Sequence, residues 1–223
     1  MQAVVVIPAY NEADSIGQVI DGLVKLNYKV MVVDDGSSDN TYKIASSHNA
    51  TVLRHVINRG YGAALRTGTD YAFSKGAEVV VHFDADGQFE PLEINKFLEA
   101  IAQGAEIVLG SRFLGQHINM PFSRLLTLKM GIIFTWFVSG IKLTDAHNGF
   151  RAFTKKAWQS MHLILDQMAF SSEVIDEIAR LKIKYQEIPV TVRYTPYSWQ
   201  NSKQGNWAAF KVVKDFFMGK IIK

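Results

Sequence analysis

The sequence predicts an α/β fold, a Rossmann-like and mostly parallel sheet flanked by helices. Three observations predict it. Short apolar runs alternate with amphipathic helical stretches through the first half of the chain, as strands joined by crossover helices do. Runs such as Val30-Met31-Val32-Val33 are continuously apolar, which suits strands covered on both faces. Three of the runs end in polar or acidic turns, and an open parallel sheet places its ligands beyond those ends. A chain of 223 residues, 48% hydrophobic and 20% charged, is expected to form one continuous domain.

The elements follow in order. Ala3–Ile7 is a strand, and Pro8-Ala9-Tyr10-Asn11-Glu12 turns it into a helix over Glu12–Lys25. Lys29–Val33 is a second strand, ended by Asp34-Asp35-Gly36-Ser37. Gly36 permits a tight turn there, Asp39 is placed to cap a helix over Asn40–Ser47, and Asp34 or Asp35 is left to face the cleft. After a third strand, Thr51–His55, the run Asn58-Arg59-Gly60-Tyr61-Gly62 precedes a helix over Gly62–Ser74. Its glycine spacing suits either a phosphate cradle at a helix N-terminus or close helix–sheet packing, and no Gly-Lys-Ser/Thr follows to make a Walker loop. Glu78–Phe83 is a fourth, buried strand leading to Asp84-Ala85-Asp86-Gly87-Gln88. Pro91–Gln103 is a helix, and Glu106–Leu109 is a strand ended by Gly110-Ser111-Arg112.

The second half is less regular. Pro121–Ile141 reads as a very apolar helix, Thr144–Arg151 as a polar loop, and Phe170–Lys182 as a helix capped by Ser171 or Ser172. Ile188–Tyr194 is a strand whose Pro189 places it at an edge or a bulge. Tyr197–Asn206 is rich in Ser, Gln, Asn and Gly and reads as a loop. A basic amphipathic helix, Trp207–Lys223, follows, with Phe210, Val213 and Phe217 on one face and Lys211, Lys214, Lys220 and Lys223 beside it. Such a helix packs on its own core or lies in a membrane interface.

Composition narrows the function. A net charge of +3 is too small to argue for nucleic acid. The absence of cysteine excludes disulfides and thiolate metal sites, and fits a reducing, cytoplasmic setting. Ala3–Ile7 begins a strand with no basic segment before it, so no secretory signal is expected. The longest uncharged apolar stretch, Met130–Ile141 between Lys129 and Lys142, is shorter than the roughly 20 residues a transmembrane helix needs.

The chemistry is expected at the strand ends. Along an extended segment, alternate residues share a side, so Asp84 and Asp86 point together. Paired carboxylates repel unless a cation lies between them. Mg²⁺ or Mn²⁺ suits such oxygen ligands and commonly shares them with a substrate diphosphate. The plainer reading is a solvated turn whose aspartates cap the next helix, and a phosphorylated response-regulator pocket fits the Asp84 motif poorly. Arg112, Arg124, Arg151 and Lys203 suit anionic oxygens, or else surface ion pairs. Glu173 is a candidate general base, or a first-turn complement to its helix dipole. His147 reads as structural, and His55 and His82 as packing.

Taken jointly, Pro8-Ala9-Tyr10-Asn11-Glu12, Asp34-Asp35-Gly36-Ser37, Asp84-Ala85-Asp86-Gly87-Gln88, Gly110-Ser111-Arg112 and Asp145-x-x-x-Gly149-Phe150-Arg151 resemble the family 2 glycosyltransferases. The nearest branch resembles the dolichyl-phosphate and polyprenyl-phosphate sugar synthases. The resemblance implies the A-type glycosyltransferase fold, a UDP- or GDP-hexose donor, Mg²⁺ or Mn²⁺, and inversion at the anomeric carbon. It implies a nucleoside held by Pro8, Tyr10, Glu12, Asp35 and Asp84, with metal and diphosphate at Asp84, Asp86 and Gln88. Catalytic roles fall to Asp86, Asp145, Arg151 and Glu173, and the acceptor end to Arg112, Arg124, Ser202 and Lys203. On this scheme residues 1–110 form the donor half, 111–206 the acceptor half and 207–223 the terminal helix. The branch's C-terminal Arg-x-x-Gly-x-Ser-Lys stands here as Tyr197-Ser198-Trp199-Gln200-Asn201-Ser202-Lys203, without that Arg and Gly. The acceptor thus stays open between a lipid phosphate and a sugar hydroxyl of a glycan, with peripheral attachment to the cytoplasmic face of a membrane expected in the first case. A nucleotide-sugar-binding module without turnover and a nucleotidyltransferase are the rivals. The second lacks the Gly-rich basic loop it needs after the first strand.

Overall fold

The protein is described from a computed structural model covering residues 1–194. Residues 195–223 lie outside the described residues, and with them the expected Tyr197–Asn206 loop, Ser202, Lys203 and the Trp207–Lys223 helix. The strands are β1 (Ala3–Ala9), β2 (Lys29–Asp34), β3 (Thr51–Arg54), β4 (Val79–His82), β5 (Ile107–Ile118), β6 (Arg151–Thr154) and β7 (Tyr185–Arg193). The helices are α1 (Ile16–Lys25), α2 (Thr41–Ser47), α3 (Tyr61–Ser74), α4 (Ile94–Ala102), α5 (Phe122–Ser139), α6 (Lys155–Ser160) and α7 (Phe170–Leu181).

The strands make one sheet in the order β3-β2-β1-β4-β6-β5-β7. The first four positions are parallel, β6 is antiparallel to both β4 and β5, and β5 runs parallel to β7. Side chains alternate across a strand, so β1 feeds two cores. Val5 and Ile7 join Ile16, Ile20, Leu23, Phe97 and Phe150 on one face, while Val4 and Val6 join Leu65, Phe73, Phe153, Trp158 and Phe170 on the other. Burial on both faces explains why the strand reads as a continuous apolar run.

Several boundaries differ from the sequence reading. Helix α1 begins at Ile16 rather than Glu12, because Asn11 has a positive φ of 56° and the Glu12 carbonyl closes a turn onto the Ser15 and Ile16 amides. The expected strand Glu106–Leu109 continues to Ile118, with a register shift between Ser111 and Gln116 where it pairs with β7. The expected loop Thr144–Arg151 ends in a strand, since Arg151 starts β6. Ser171 and Ser172 do not cap α7; they sit inside its first turn, and the N-cap position is Ala169. Pro189 does lie in the edge strand β7, where its missing N–H costs no ladder bond on the open side. Helix α5 has 18 residues and, by length and composition, is long and apolar enough to cross a membrane. Counting only the uncharged stretch misses this, because Arg124 and Lys129 fall inside the helix.

The glycines ahead of α3 serve close packing. A Cβ on Gly62 would lie 2.6 Å from Phe170 Cβ and against the Leu165 carbonyl. Gly60 has φ of 110°, and a Cβ there would lie 2.5 Å from the Asp166 carbonyl oxygen. The Ala63 amide in the first turn donates to that same carbonyl at 3.1 Å. The first turn of the helix is therefore packed against residues 165–167 of the chain itself, as the close-packing reading of these glycines expects. Gly62→Ala should destabilise the protein by about 2 kcal/mol, the usual scale of overpacking, and a urea unfolding curve measures it.

Candidate active site

Two loops at the C-terminal ends of β1 and β2 are laced together. The Asn11 amide donates to Ser37 Oγ at 2.9 Å, the Ser38 amide to Asn11 Oδ1 at 2.9 Å, and the Glu12 amide to Thr41 Oγ1 at 2.8 Å. Pro8 is buried within β1, in register with Val33, and Tyr10 is half-buried in the loop beyond it. Asp34 forms an ion pair with Arg54 Nε at 2.9 Å. Asp35 is 3% exposed, and its carboxylate accepts from the Arg59 amide at 2.9 Å and the Gly60 amide at 2.7 Å, with His55 Nδ1 at 2.6 Å. It acts first as a post that joins β2 to the start of α3. His55 does more than pack, because its other ring nitrogen reaches Thr67 Oγ1 at 3.0 Å.

Strand β4 ends at His82, so Asp84 and Asp86 do not share a strand face as the spacing suggested; they lie in the turn beyond it. Gly87, with φ of 72°, closes that turn, and Asp86 Oδ1 accepts the Gln88 amide at 3.0 Å. Gln88 is half-buried, and its carbonyl accepts the Arg193 amide at 2.9 Å. Burial raises the Asp84 carboxyl to about 6, against the pull of the Tyr61 hydroxyl and Arg151. Burial and the charge of Asp84 raise Asp86 to about 7. Glu12 adds negative charge to both. The loop after β1 thus acts on the Asp84–Asp86 turn through the charge of Glu12.

Tyr61, the first residue of α3, donates to Asp84 Oδ1 at 3.0 Å. Gly149 backs this contact: a Cβ there would lie 2.6 and 2.8 Å from the two Asp84 oxygens and 2.8 Å from the Tyr61 hydroxyl. Arg151 is 3% exposed and donates to three carbonyls, Asn148 at 2.8 Å, Ala146 at 3.2 Å and Ser171 at 3.4 Å. It has no ion pair among the described residues, and its charge lowers the pKa of Asp84. The same charge, after burial, holds His82 down at about 3 and His147 at about 4, so both imidazoles are neutral.

The expected acceptor arginines form a network. Arg112 Nε donates to Asp145 Oδ2 at 2.5 Å, and its Nη1 to the Tyr194 hydroxyl at 2.6 Å. Arg124, near the start of α5, also bonds to the Tyr194 hydroxyl. Arg112 and Asp145 are therefore a buried pair that sets the 144–150 loop, rather than a free cation and a free carboxylate. Glu173 is likewise not placed as a free base. Only 2% exposed, it accepts the Ile164 amide at 3.0 Å and the Leu165 amide at 2.9 Å, holding the segment before α7.

Among the described residues, no group of three or more His, Asp or Glu converges on a metal position. Asp84 and Asp86, with the amide oxygen of Gln88, supply oxygen donors only, and their raised pKa values mark negative charge short of compensation. That donor set fits Mg²⁺ or Mn²⁺, whose remaining positions a diphosphate and water would fill. The sequence reading passed over Tyr61, Gly149 and Tyr194 as site residues. Tyr61 lay inside the glycine turn and Gly149 inside the Asp145–Arg151 motif, but nothing in the spacing says that they touch Asp84.

Residues 4–161 match the family model described as Glycosyl transferase family 2. The chain is 34% identical to a UDP-N-acetylglucosamine–dolichyl-phosphate N-acetylglucosaminyltransferase of Methanococcus voltae, over 86% of each chain. It is 30% identical to a polyprenol monophosphomannose synthase of Mycolicibacterium smegmatis, over 99% of this chain and 89% of that one. Its fold matches glucosyl-3-phosphoglycerate synthase from Mycobacterium tuberculosis, solved with Mn²⁺, UDP-glucose and phosphoglyceric acid, at a TM-score of 0.74 and 18% identity, over 97% of this chain and 79% of that one.

Two outcomes test the site. Between about pH 4 and pH 7 the folded chain binds protons at Asp84 and Asp86 more tightly than the unfolded chain, so this pair makes stability fall as pH rises. In EDTA, Asp86→Asn should remove part of that fall, and Mn²⁺ should raise the Tm of the parent at about pH 8 but hardly at about pH 5. Asp145→Ala leaves Arg112 buried and unpaired, and should cost about 3 kcal/mol in urea unfolding.

Proposed function

The chain belongs to the family 2 glycosyltransferases, and on that footing we propose that it moves a hexose from a nucleoside-diphosphate sugar to the phosphate of a polyprenyl or dolichyl lipid. One observation carries the choice of acceptor. Glu173 and Asp145, the carboxylates expected to do catalytic work, are engaged within the fold, whereas Arg151 is a buried cation that, among the described residues, is bonded to carbonyls and has no ion pair. A sugar hydroxyl needs a base to take its proton. A phosphate monoester is already anionic near neutral pH and needs cations to hold it. The names of the Methanococcus voltae and Mycolicibacterium smegmatis relatives support the same acceptor class.

In this reading Pro8, Tyr10, Glu12 and the Asp35 post form the nucleoside side, while Asp84, Asp86 and Gln88 hold the diphosphate end. Those three residues would hold a divalent cation, which would supply neutralisation of the charge that develops on the leaving diphosphate. Arg151, Arg124 and the Arg112–Asp145 pair set the positive side of the site, with Ser202 and Lys203 assigned to the acceptor end. The acceptor phosphate oxygen attacks the anomeric carbon opposite the diphosphate. One C–O bond forms as the other breaks, the configuration inverts, and no proton has to be removed.

A lipid acceptor calls for a membrane surface, and α5 is suited to supply one. Only 11% of this helix is buried, and Phe122, Leu126, Met130, Ile133, Trp136 and Phe137 are all exposed. Lys129 lies 3.9 Å over the Phe113 ring and Lys142 lies 4.6 Å over Trp136, so both ammonium groups border the apolar surface. That arrangement suits a helix lying in the interface with its lysines at anionic head groups.

Nucleoside-diphosphate release should be measured with a panel of UDP- and GDP-sugars and Mn²⁺, with and without undecaprenyl or dolichyl phosphate. Release stimulated by the lipid phosphate is expected, and Asp86→Ala should reduce it at least 100-fold, about 3 kcal/mol of transition-state stabilisation, without loss of the folded circular-dichroism spectrum. Release that the lipid leaves unchanged would move the acceptor to a glycan hydroxyl. Phe137→Glu should weaken sedimentation with anionic vesicles while leaving donor binding unaltered.

A further inference from the structure

Asp84 sits in a cage built by three separate segments. Tyr61 bonds to its Oδ1, the Gly149 backbone lies where any side chain would strike both of its oxygens, and Arg151 supplies the nearby positive charge. Tyr61 is itself fixed from behind. The Gly60 amide ahead of it is held by Asp35 Oδ2 at 2.7 Å, and Asp35 is held in turn by His55. A continuous path of hydrogen bonds and one peptide unit therefore joins the nucleoside-side motif at the end of β2 to the carboxylate beyond β4.

We infer that Tyr61 is a positioning residue, whose hydroxyl fixes the orientation of the Asp84 carboxylate toward a divalent cation and the donor diphosphate. The inference rests on the proposed donor chemistry. An aspartate beyond the end of its strand has a free χ1 and a broad χ2, and so has several ways to present its oxygens. Gly149 removes the steric wall that would push the carboxylate aside, but it supplies no preference among the remaining orientations. The Tyr61 hydroxyl supplies it. By occupying one lone pair of Oδ1 it leaves Oδ2 as the unengaged oxygen, since no other hydrogen bond to Asp84 is present among the described residues. The tyrosine ring is held at the start of a rigid helix, which fixes the donor more firmly than a loop would.

The test compares the parent, Tyr61→Phe, Asp84→Asn and the double variant by Mn²⁺ titration calorimetry in the presence of UDP, then of GDP, with metal-free Tm as the folding control. Tyr61→Phe should weaken Mn²⁺-dependent nucleotide binding about tenfold, leave the metal-free Tm within a few degrees of the parent, and cause no further loss in the Asp84→Asn background. Equal Mn²⁺ affinity for parent and Tyr61→Phe overturns the inference, as does a full additive loss in the double variant. Failure of the parent to bind Mn²⁺ with either nucleotide overturns it too. Absence of sugar transfer by a parent that binds Mn²⁺ and nucleotide normally overturns the proposed reaction alone, because the binding measurement does not depend on turnover. Should Tyr61→Phe prove unstable, the titrations are repeated at a lower temperature at which its circular-dichroism spectrum matches the parent, and equal Mn²⁺ affinity there counts against the inference.

Discussion

Asp84 and Asp86 are carried by β4 into a place where burial makes their negative charge costly, and Glu12 adds a third carboxylate beside them. Much of the surrounding structure answers that cost. Tyr61 donates to one oxygen, the Gln88 amide to another, and Arg151 is brought in as a cation held by carbonyls, with no ion pair among the described residues. The compensation is incomplete, because both carboxyls still keep raised pKa values. Raised carboxyl pKa values of this kind, produced by burial and a neighbouring like charge, are common at functional sites.

The antiparallel strand β6 makes the arrangement reachable. It pairs with β4, setting Arg151 opposite His82, so that the 144–150 loop ahead of it arrives beside the acidic turn. The loop can come this close because residue 149 has no side chain. The same loop is held on its other side by the buried Arg112–Asp145 pair and by Glu187, which accepts the Thr144 amide at 2.9 Å. A buried ion pair contributes little net stability and much geometry. Here it holds Arg112 and the 144–150 loop in relation to the Asp84–Asp86 turn.

Helix α5 shows a different balance. Its buried contacts are few, essentially Leu128 and Thr135, while its apolar surface faces outward beside two lysines. A helix that hides so little of its apolar surface in its own core has the composition of an interface element. Its first turn carries Arg124, which meets Arg112 at the Tyr194 hydroxyl, so this outward-facing apolar helix begins within the arginine network.

The α/β alternation, six of the seven strands in outline and the main helices were legible in the amino-acid order, because strand and helix periodicities are local properties. So were the acidic and glycine-bearing turns, which mark strand ends whatever surrounds them. The β6 strand was not legible, since its four residues Arg-Ala-Phe-Thr carry no periodic signal and are strand only because β4 and β5 flank them. The roles of Arg112, Asp145 and Glu173 were also decided by tertiary structure. A charged residue reads the same in sequence whether it meets a ligand or a buried partner, and its partners here lie up to 82 residues away. Tyr61 and Gly149 belong to the same class. One lies 23 residues before Asp84 and the other far after it, and only the folded sheet brings a hydroxyl and a missing side chain to the same carboxylate.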